Sequence, residues 1–530
     1  MNFLLKKSKE KIIFILGLIF SLLFSLSFWP KFSSLLINSD SYVYLLQVEF
    51  LRSHSSFSGQ LGLAGDFLSP IFYRGGFSLF IYFLSYFFQI NNFLSAQIII
   101  LTSHFLCILL VYLLISKLFR SVYAGLISSM LLTLSYSFTN WSTVVMPEIP
   151  TILLVIFSQI TLLFSRKNKL LFSLSPIFLG LSVLFRGEMI MLLLPTIFIL
   201  LYQKRILKEY LFYFATTLII WFLYVLWLYQ SSYSPNNWIE FQLLIFQQTI
   251  NYHTYFIISL LFIFVGALLY LYRPYLIILL FLPLIIVLKK ININFSDILP
   301  PLYSFLSHDW VIIIFGFFGL FLIVLKNRYL GGYFLFSLLI LIPLYITRGE
   351  YRYYVHLIIF FLVPLGFLLK YLWFQAKSTI WKFSLIILSL LIVLGQYKLS
   401  QYQNFLPNIS YEQSVADQTN QVIKLFNFNS SDIVICSVFS EAMYYTTNFS
   451  SMDCFSGLND INRKNNVGKL VVVDEDISRH QPEFVSELTK LYPDQPIYSQ
   501  WILQPYQEKN TTSIPRQQTR WYYIPPNTSI

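Results

Sequence analysis

The chain has 530 residues, of which 57% are hydrophobic and only 11% charged, and its mean hydropathy is +0.66. A soluble domain carries roughly 25% charge, so this composition excludes a water-facing surface over most of the length and reads as a polytopic α-helical membrane protein. The net charge of +12 falls in short clusters between apolar segments; no basic face with interleaved aromatics is present, which argues against a nucleic-acid partner.

The chain opens on "MNFLLKKSKEK", a basic stretch, followed by the apolar 12–29. This segment is long, rich in Phe and lacks a small-x-small cleavage site, so it reads as a retained anchor, not a cleaved signal peptide. A spanning helix needs about 20 apolar residues. On that criterion the predicted spans are 12–29, 94–116, 122–139, 148–164, 170–185, 188–203, 210–229, 253–272, 274–288, 310–325, 331–347, 354–372 and 380–396, about thirteen in all.

One apolar stretch, 70–90, is interrupted by Arg74, Gly75 and Gly76. The run that remains is too short to span and suits an interfacial or re-entrant helix. Charge parity agrees. With Lys6, Lys7, Lys9 and Lys11 inside, a non-spanning 70–90 also places Lys117/Arg120, Arg166/Lys167/Lys169, Lys204/Arg205/Lys208, Lys326/Arg328 and Lys377/Lys382 inside, as the positive-inside rule requires. Lys289 and Lys290 are the one violation. The outer side then holds 30–93, 230–252, 289–309 and everything after 396, together with the junctions near 140–148, 186–188 and 348–353.

Residues 40–52 read as an amphipathic helix lying on the membrane. Asp40, Tyr44 and Gln47 fall on one face, and Val43, Leu46 and Phe50 on another. Glu49 and Arg52 read as solvated charges, and His308-Asp309 as a plain interfacial loop. After Gln396 the composition turns polar. The β-branched runs 432–438 and 469–476, the late strands "PIYSQWIL" and "RWYYIPP", and helices at 441–447 and 482–492 predict a small C-terminal soluble α/β domain with a partly parallel sheet. The expected organisation is thus a membrane domain, 1–396, and an extracytoplasmic domain, 397–530. The three cysteines are Cys107, Cys436 and Cys454. A Cys436–Cys454 disulfide and two free buried thiols both fit the spacing. No internal repeat, phosphate loop or metal-ligand cluster is evident.

Charges at the ends of spans are costly and usually functional. Asp40 follows the first span; Glu148 opens one in "VVMPEIP"; Arg186 and Glu188 sit in "FRGEM"; Arg348, Glu350 and Arg352 sit in "TRGEYRYY". Each has a bland reading as a helix cap, a snorkelling cation or a local pair. Together they bring carboxylates and arginines from distant sequence to one face of the membrane. Arginine presents a rigid fork of donors and stays charged, which suits phosphate.

This layout resembles the GT-C glycosyltransferases, among them the protein O-mannosyltransferases and the lipid A aminoarabinose transferases, over roughly residues 10–400. The resemblance rests on Asp40 after the first span, the Pro-led "SPIFYRGGFSLFIYFL", the acidic "MPEIP", the Arg junction "LFRGEMIMLLLP" and the Arg-Tyr stretch "RGEYRYYVHLIIFFLVP". Where many relatives carry an Asp-Glu pair, this chain has Ser39-Asp40-Ser41, and the double Pro is absent. The resemblance implies transfer of a sugar from a polyprenyl-phosphate donor to a glycan, lipid or protein hydroxyl at the outer face of a cell (plasma) membrane, with inversion. Asp40 would be the base, and Glu148 would hold the acceptor or orient an arginine. Arg186, Arg348, Arg352 and, more weakly, Arg74 would meet the phosphate, with Tyr44 and Tyr353 lining the substrate groove. A divalent ion between Asp40 and Glu148 is compatible with the pattern, but no spacing demands it. The competing classes are a lipid-linked sugar flippase, which would want mid-membrane charges and paired repeats, and a surface-polysaccharide ligase.

Overall fold

The computed structural model of the chain describes residues 2–27, 39–53, 75–205, 207–232, 307–348, 351–401, 411–430, 432–437, 451–452, 467–473, 496–503 and 516–526, with isolated positions between 443 and 490. Helices α1 (Asn2–Leu26), α2 (Ser39–Ser53), α3 (Gly76–Phe88), α4 (Asn92–Phe119) and α5 (Val122–Leu134) come first. The short α6 (Tyr136–Trp141) follows, then α7 (Glu148–Leu163), α8 (Lys169–Phe185), a 3-10 helix (Gly187–Leu192), α9 (Leu193–Tyr202) and α10 (Leu207–Ser232). The last membrane helices are α11 (Trp310–Lys326), α12 (Arg328–Arg348), a second 3-10 helix (Tyr351–Leu357), α13 (Ile358–Gln375) and α14 (Thr379–Gln401). The expected spans 253–272 and 274–288 lie outside the described residues.

Tight connections make consecutive helices antiparallel. Asn91 caps α4 by accepting from the Leu94 amide at 2.6 Å, and Asn168 caps α8 by accepting from Leu171 at 3.2 Å. Between α4 and α5 the chain reverses at Arg120, in the left-handed region (φ 53°), and Ser121 then caps α5. The basic clusters at 117–120, 166–169, 204–208, 326–328 and 377–382 therefore share one end of the bundle. The starts of α7 and α13 and the ends of α8 and α12 share the other.

Among the described residues three helices are long and apolar enough to cross a membrane by length and composition: Asn92–Phe119, Tyr353–Gln375 and Thr379–Tyr397. Other apolar helices run 10–17 residues, so the expected thirteen spans are not reached among the described residues. The predicted span 122–139 breaks at Ser135, whose extended backbone ends α5 and whose hydroxyl caps α6. The predicted 188–203 begins as the 3-10 turn. Exposed Phe317, Phe318, Phe321, Ile380, Trp381 and Phe383 give the outward faces the apolar, aromatic character of a lipid-facing surface. Inside, α11 approaches α13 so closely that a Cβ at Gly319 would collide with the Pro364 carbonyl oxygen, and one at Gly316 would lie 2.8 Å from Phe361. Small residues that let backbones meet are how helices associate without a hydrophobic drive between them.

Beyond α14, helix α15 (Tyr411–Leu425) covers a five-stranded sheet of order β2-β1-β3-β5-β4, formed by β1 (Ile433–Cys436), β2 (Ser451–Met452), β3 (Gly468–Val473), β4 (Tyr498–Leu503) and β5 (Arg516–Ile524). Strand β1 pairs parallel with β2 and β3, while β5 runs antiparallel to β3 and β4, with Leu470 opposite Tyr523 and Tyr498 opposite Trp521. Val415, Ala416, Val422 and Ile423 of α15 pack on Ile433, Ile435, Leu470, Val472 and Trp521, and Trp521 Nε1 donates to Thr419 Oγ1 at 2.9 Å. The sequence reading missed α15 and β2. Its helices at 441–447 and 482–492 fall largely outside the described residues. Cys436 is disulfide-bonded and Cys107 is a free, buried thiol; Cys454 lies outside the described residues.

Helix α2 departs most from expectation. An interfacial helix would keep a wet face, yet every residue from Ser41 to Val48 is buried. One side packs on α3, with Tyr44 meeting Phe77 edge-on at 5.4 Å and Gln47 Oε1 accepting from Ser78 at 2.6 Å. On the other side Tyr42 joins the core of the C-terminal sheet, beside Val415, Leu470 and Trp521. Glu49 and Arg52, expected as solvated charges, are exposed, and Arg52 also donates to Ser85 Oγ at 3.2 Å and Asn92 Oδ1 at 3.0 Å.

Candidate functional site

Helix α8 ends at Arg186, whose extended backbone (φ −143°, ψ 105°) stops the helix while its amide still reaches the Ser182 carbonyl. The Gly187 that follows lets the chain wind straight into a 3-10 turn. This geometry turns the Arg186 side chain into the protein, where it is 0% exposed. Glu148 is the first residue of α7, directly after Pro147, and is likewise 0% exposed. Nη2 of Arg186 donates to Glu148 Oε1 in a fully buried ion pair. Glu188, Tyr44 and Tyr353 stand within electrostatic reach of the same guanidinium, and Tyr353 presents its ring 5.2 Å from Arg186 Cζ. Four segments far apart in sequence thus meet at one end of the bundle.

A buried ion pair is a poor stabiliser, because desolvation offsets the Coulombic gain, but removing one partner strands a charge. Arg186 also has more to give than Glu148 takes: its Nε and Nη1 have no hydrogen-bond partner among the described residues. Buried donors left unmade are expensive and call for an explanation. A guanidinium with spare forked donors, anchored by a carboxylate on one nitrogen, is suited to receive an anion such as a phosphate.

The remaining expected site residues are placed by their backbone. Asp40 lies in the first turn of α2, one turn of about 5.4 Å before Tyr44. Arg348 is the last residue of α12, and Arg352 directly precedes Tyr353 in the second 3-10 helix. Arg74 and Glu350 lie outside the described residues. The structure therefore brings together Glu148, Arg186, Tyr44 and Tyr353, adds Glu188, and puts Asp40, Arg348 and Arg352 on the elements that converge there. A divalent ion between Asp40 and Glu148 fits poorly, since Glu148 commits an oxygen to a guanidinium that would repel a second cation. Among the described residues no three His, Cys, Asp or Glu side chains gather as a metal site.

The sequence reading missed two groups. His356 is buried beside this cluster, its ring 5.8 Å from that of Tyr345, which in turn stacks on Tyr353 at 5.8 Å. The stretch "RYYVH" carried the signal, a rare His among arginine and tyrosines at a helix start. Asp309, taken for a plain loop residue, is 0% exposed. It accepts from the Tyr136 and Ser137 amides at 3.1 Å each and from Ser137 Oγ at 2.5 Å. It thereby holds α6, which packs against the 3-10 helix that carries Tyr353 and His356. Its partners lie 172 and 173 residues away, beyond any local pattern.

Residues 78–229, which include Glu148, Arg186 and Glu188, match the family described as dolichyl-phosphate-mannose-protein mannosyltransferase. In fold, the chain is similar to the Archaeoglobus fulgidus oligosaccharyltransferase in its apo form, with TM-score 0.57 and 12% identity over 88% of this chain and 70% of that one. It is equally similar to the archaeal oligosaccharyltransferase AglB from Archaeoglobus fulgidus in complex with an inhibitory peptide and a dolichol-phosphate: TM-score 0.57 and 13% identity over 97% of this chain and 74% of that one. The Archaeoglobus fulgidus enzyme in complex with Zn and sulfate gives TM-score 0.54 and 15% identity over 87% and 68%. No curated protein matches the sequence. The family and the structural neighbours are glycosyltransferases, and the resemblance to GT-C membrane proteins holds both in the matched segment and in the fold.

Proposed function

We propose that this GT-C-type chain is a glycosyltransferase that moves a sugar from a polyprenyl-phosphate donor to an acceptor hydroxyl at the outer face of a cell membrane. The observation that carries the reading is the buried Arg186–Glu148 pair with its unused guanidinium donors, inside the segment that matches the mannosyltransferase family. Asp40 takes the proton of the acceptor hydroxyl as its oxygen bonds to the anomeric carbon. The bond from that carbon to the phosphate oxygen breaks, and its electron pair leaves with the lipid phosphate. Arg186 stabilises that growing charge, a role that Arg348, Arg352 and, more weakly, Arg74 share. A single displacement inverts the anomeric centre. Glu148 acts by fixing Arg186, and Tyr44 and Tyr353 wall the site. The C-terminal α/β portion, 397–530, stands outside the membrane and helps seat the acceptor, which is a glycan, lipid or protein. A flippase would need charges at mid-membrane, whereas Arg186 and Glu148 cluster at helix ends.

The test is D40N in membranes supplied with polyprenyl-phosphate-linked mannose, the sugar in the matched family's description. Release of polyprenyl phosphate should fall to background while the melting profile stays that of the wild type. Wild-type turnover in D40N overturns the assignment of the base.

A further inference from the structure

The second 3-10 helix (Tyr351–Leu357) leaves one group whose chemistry differs from everything around it. His356 is 3% exposed, and its Nδ1 lies 3.1 Å from the Tyr353 carbonyl oxygen. A carbonyl oxygen can only accept, so in the neutral ring the proton sits on Nδ1 and donates there. Nε2 then carries a lone pair, and it has no hydrogen-bond partner among the described residues. Arg186 and Glu188 both act electrostatically on this ring, and the ring and the guanidinium flank one pair of stacked tyrosines: His356 lies 5.8 Å from Tyr345, which stacks on Tyr353, and Arg186 Cζ lies 5.2 Å from the Tyr353 ring.

These two unpaired groups are complementary. Arg186 offers N–H donors, which an ionised phosphodiester can fill through its oxygens. The same phosphodiester has no hydrogen to give and cannot fill His356 Nε2. A hydroxyl can. A ligand that satisfies both at once is an anion with a hydroxyl close beside it, as in a sugar joined to a phosphate. We propose that His356 Nε2 accepts a hydrogen bond from a hydroxyl of the donor sugar, so that Arg186 reads the phosphate and His356 reads the sugar. This rests on the donor class proposed above and deepens it: His356 is a specificity-determining residue that separates a glycosylated lipid phosphate from a bare one. A site built to bond a hydroxyl rejects the analogue lacking it, because its buried polar group is then left unpaired.

The experiment measures binding of two short-chain probes to the purified full-length chain: farnesyl-phosphate mannose, and farnesyl methyl phosphate, a phosphodiester without sugar. The wild type should bind the mannosylated probe about tenfold more tightly. In H356F that preference should shrink to within about twofold, with affinity for the sugarless diester unchanged. H356Q, whose amide oxygen can still accept, should keep part of the preference. An undiminished preference in H356F, or an equal loss for both probes, overturns the proposal. A measurement on the wild type alone covers the case of a variant that does not fold. Among the four monodeoxy forms of the mannosylated probe, one should bind as weakly as the sugarless diester, and full affinity for all four overturns the assignment. If the wild type binds neither diester, the donor class itself falls, and the role of His356 with it.

Discussion

Two arginine–glutamate pairs, one at each end of the bundle, look alike in a contact map and differ in every physical respect that matters. Arg205 and Glu209 sit one turn apart at the basic end, with side chains 13% and 30% exposed. All three Arg205 nitrogens are occupied: Nη1 by Glu209, Nη2 by the Ser165 carbonyl at 2.8 Å and Nε by Gln203 Oε1 at 3.4 Å, while the guanidinium lies 4.5 Å over the Phe172 ring. That arginine is a fastener. Arg186 and Glu148 are 38 residues apart and fully buried, and two of the three arginine nitrogens have no partner among the described residues. The saturated pair sits where water can share the cost of charge, and the unsaturated one is shut away from it. Incomplete satisfaction, more than burial or charge alone, sets the two ends apart.

That contrast can be broken by substitution, starting with the deepest group. E148A should strand the Arg186 charge and cost about 3–5 kcal/mol, seen as a large fall in Tm of the detergent-solubilised chain. R186K keeps the charge but loses the fork; its turnover on polyprenyl-phosphate mannose should drop about 10²–10³-fold with far less change in Tm than E148A. Full turnover in R186K would make both pairs fasteners and dissolve the distinction. D309A tests a third buried carboxylate, one that is hydrogen-bonded to its neighbours. It should lose about 1.5–3 kcal/mol by freeing the Tyr136 and Ser137 amides, with D309N recovering part of the Tm. R205A should cost about 0–1 kcal/mol and leave turnover as it was.

Much of the bundle was legible because lipid imposes a simple code. Apolar runs such as 94–116 and 170–185 had to be helices, since backbone groups in hydrocarbon must pair within their own segment. Glu148, Arg186 and Tyr353 were legible for a related reason: polar residues at span ends stand out against an apolar background. Asp309 stood out no less, but its role depends on Ser137, a partner no periodicity connects to it. His356 was overshadowed by the arginines of the same stretch. The burial of α2 was illegible in principle. Its pattern is that of a half-wet helix, and only the arrival of a sheet from residues 411–524 covers the second face. Ser135 is a subtler case, a small polar residue in an apolar run, whose effect as a break depends on the cap it makes for α6.

The double burial of α2 fixes more than position. Successive residues of a helix are turned by about 100°, so Tyr42 and Tyr44 face nearly opposite ways, one seated among Val415 and Trp521, the other against Phe77. A rotation that suited one socket would empty the other. The angular setting of the helix is pinned like a bolt between two threads. One residue inserted between Ser41 and Tyr44 would therefore do what no single substitution there can, turning one part of α2 against the other by about 100° and emptying one of the two sockets while leaving every side chain in the chain.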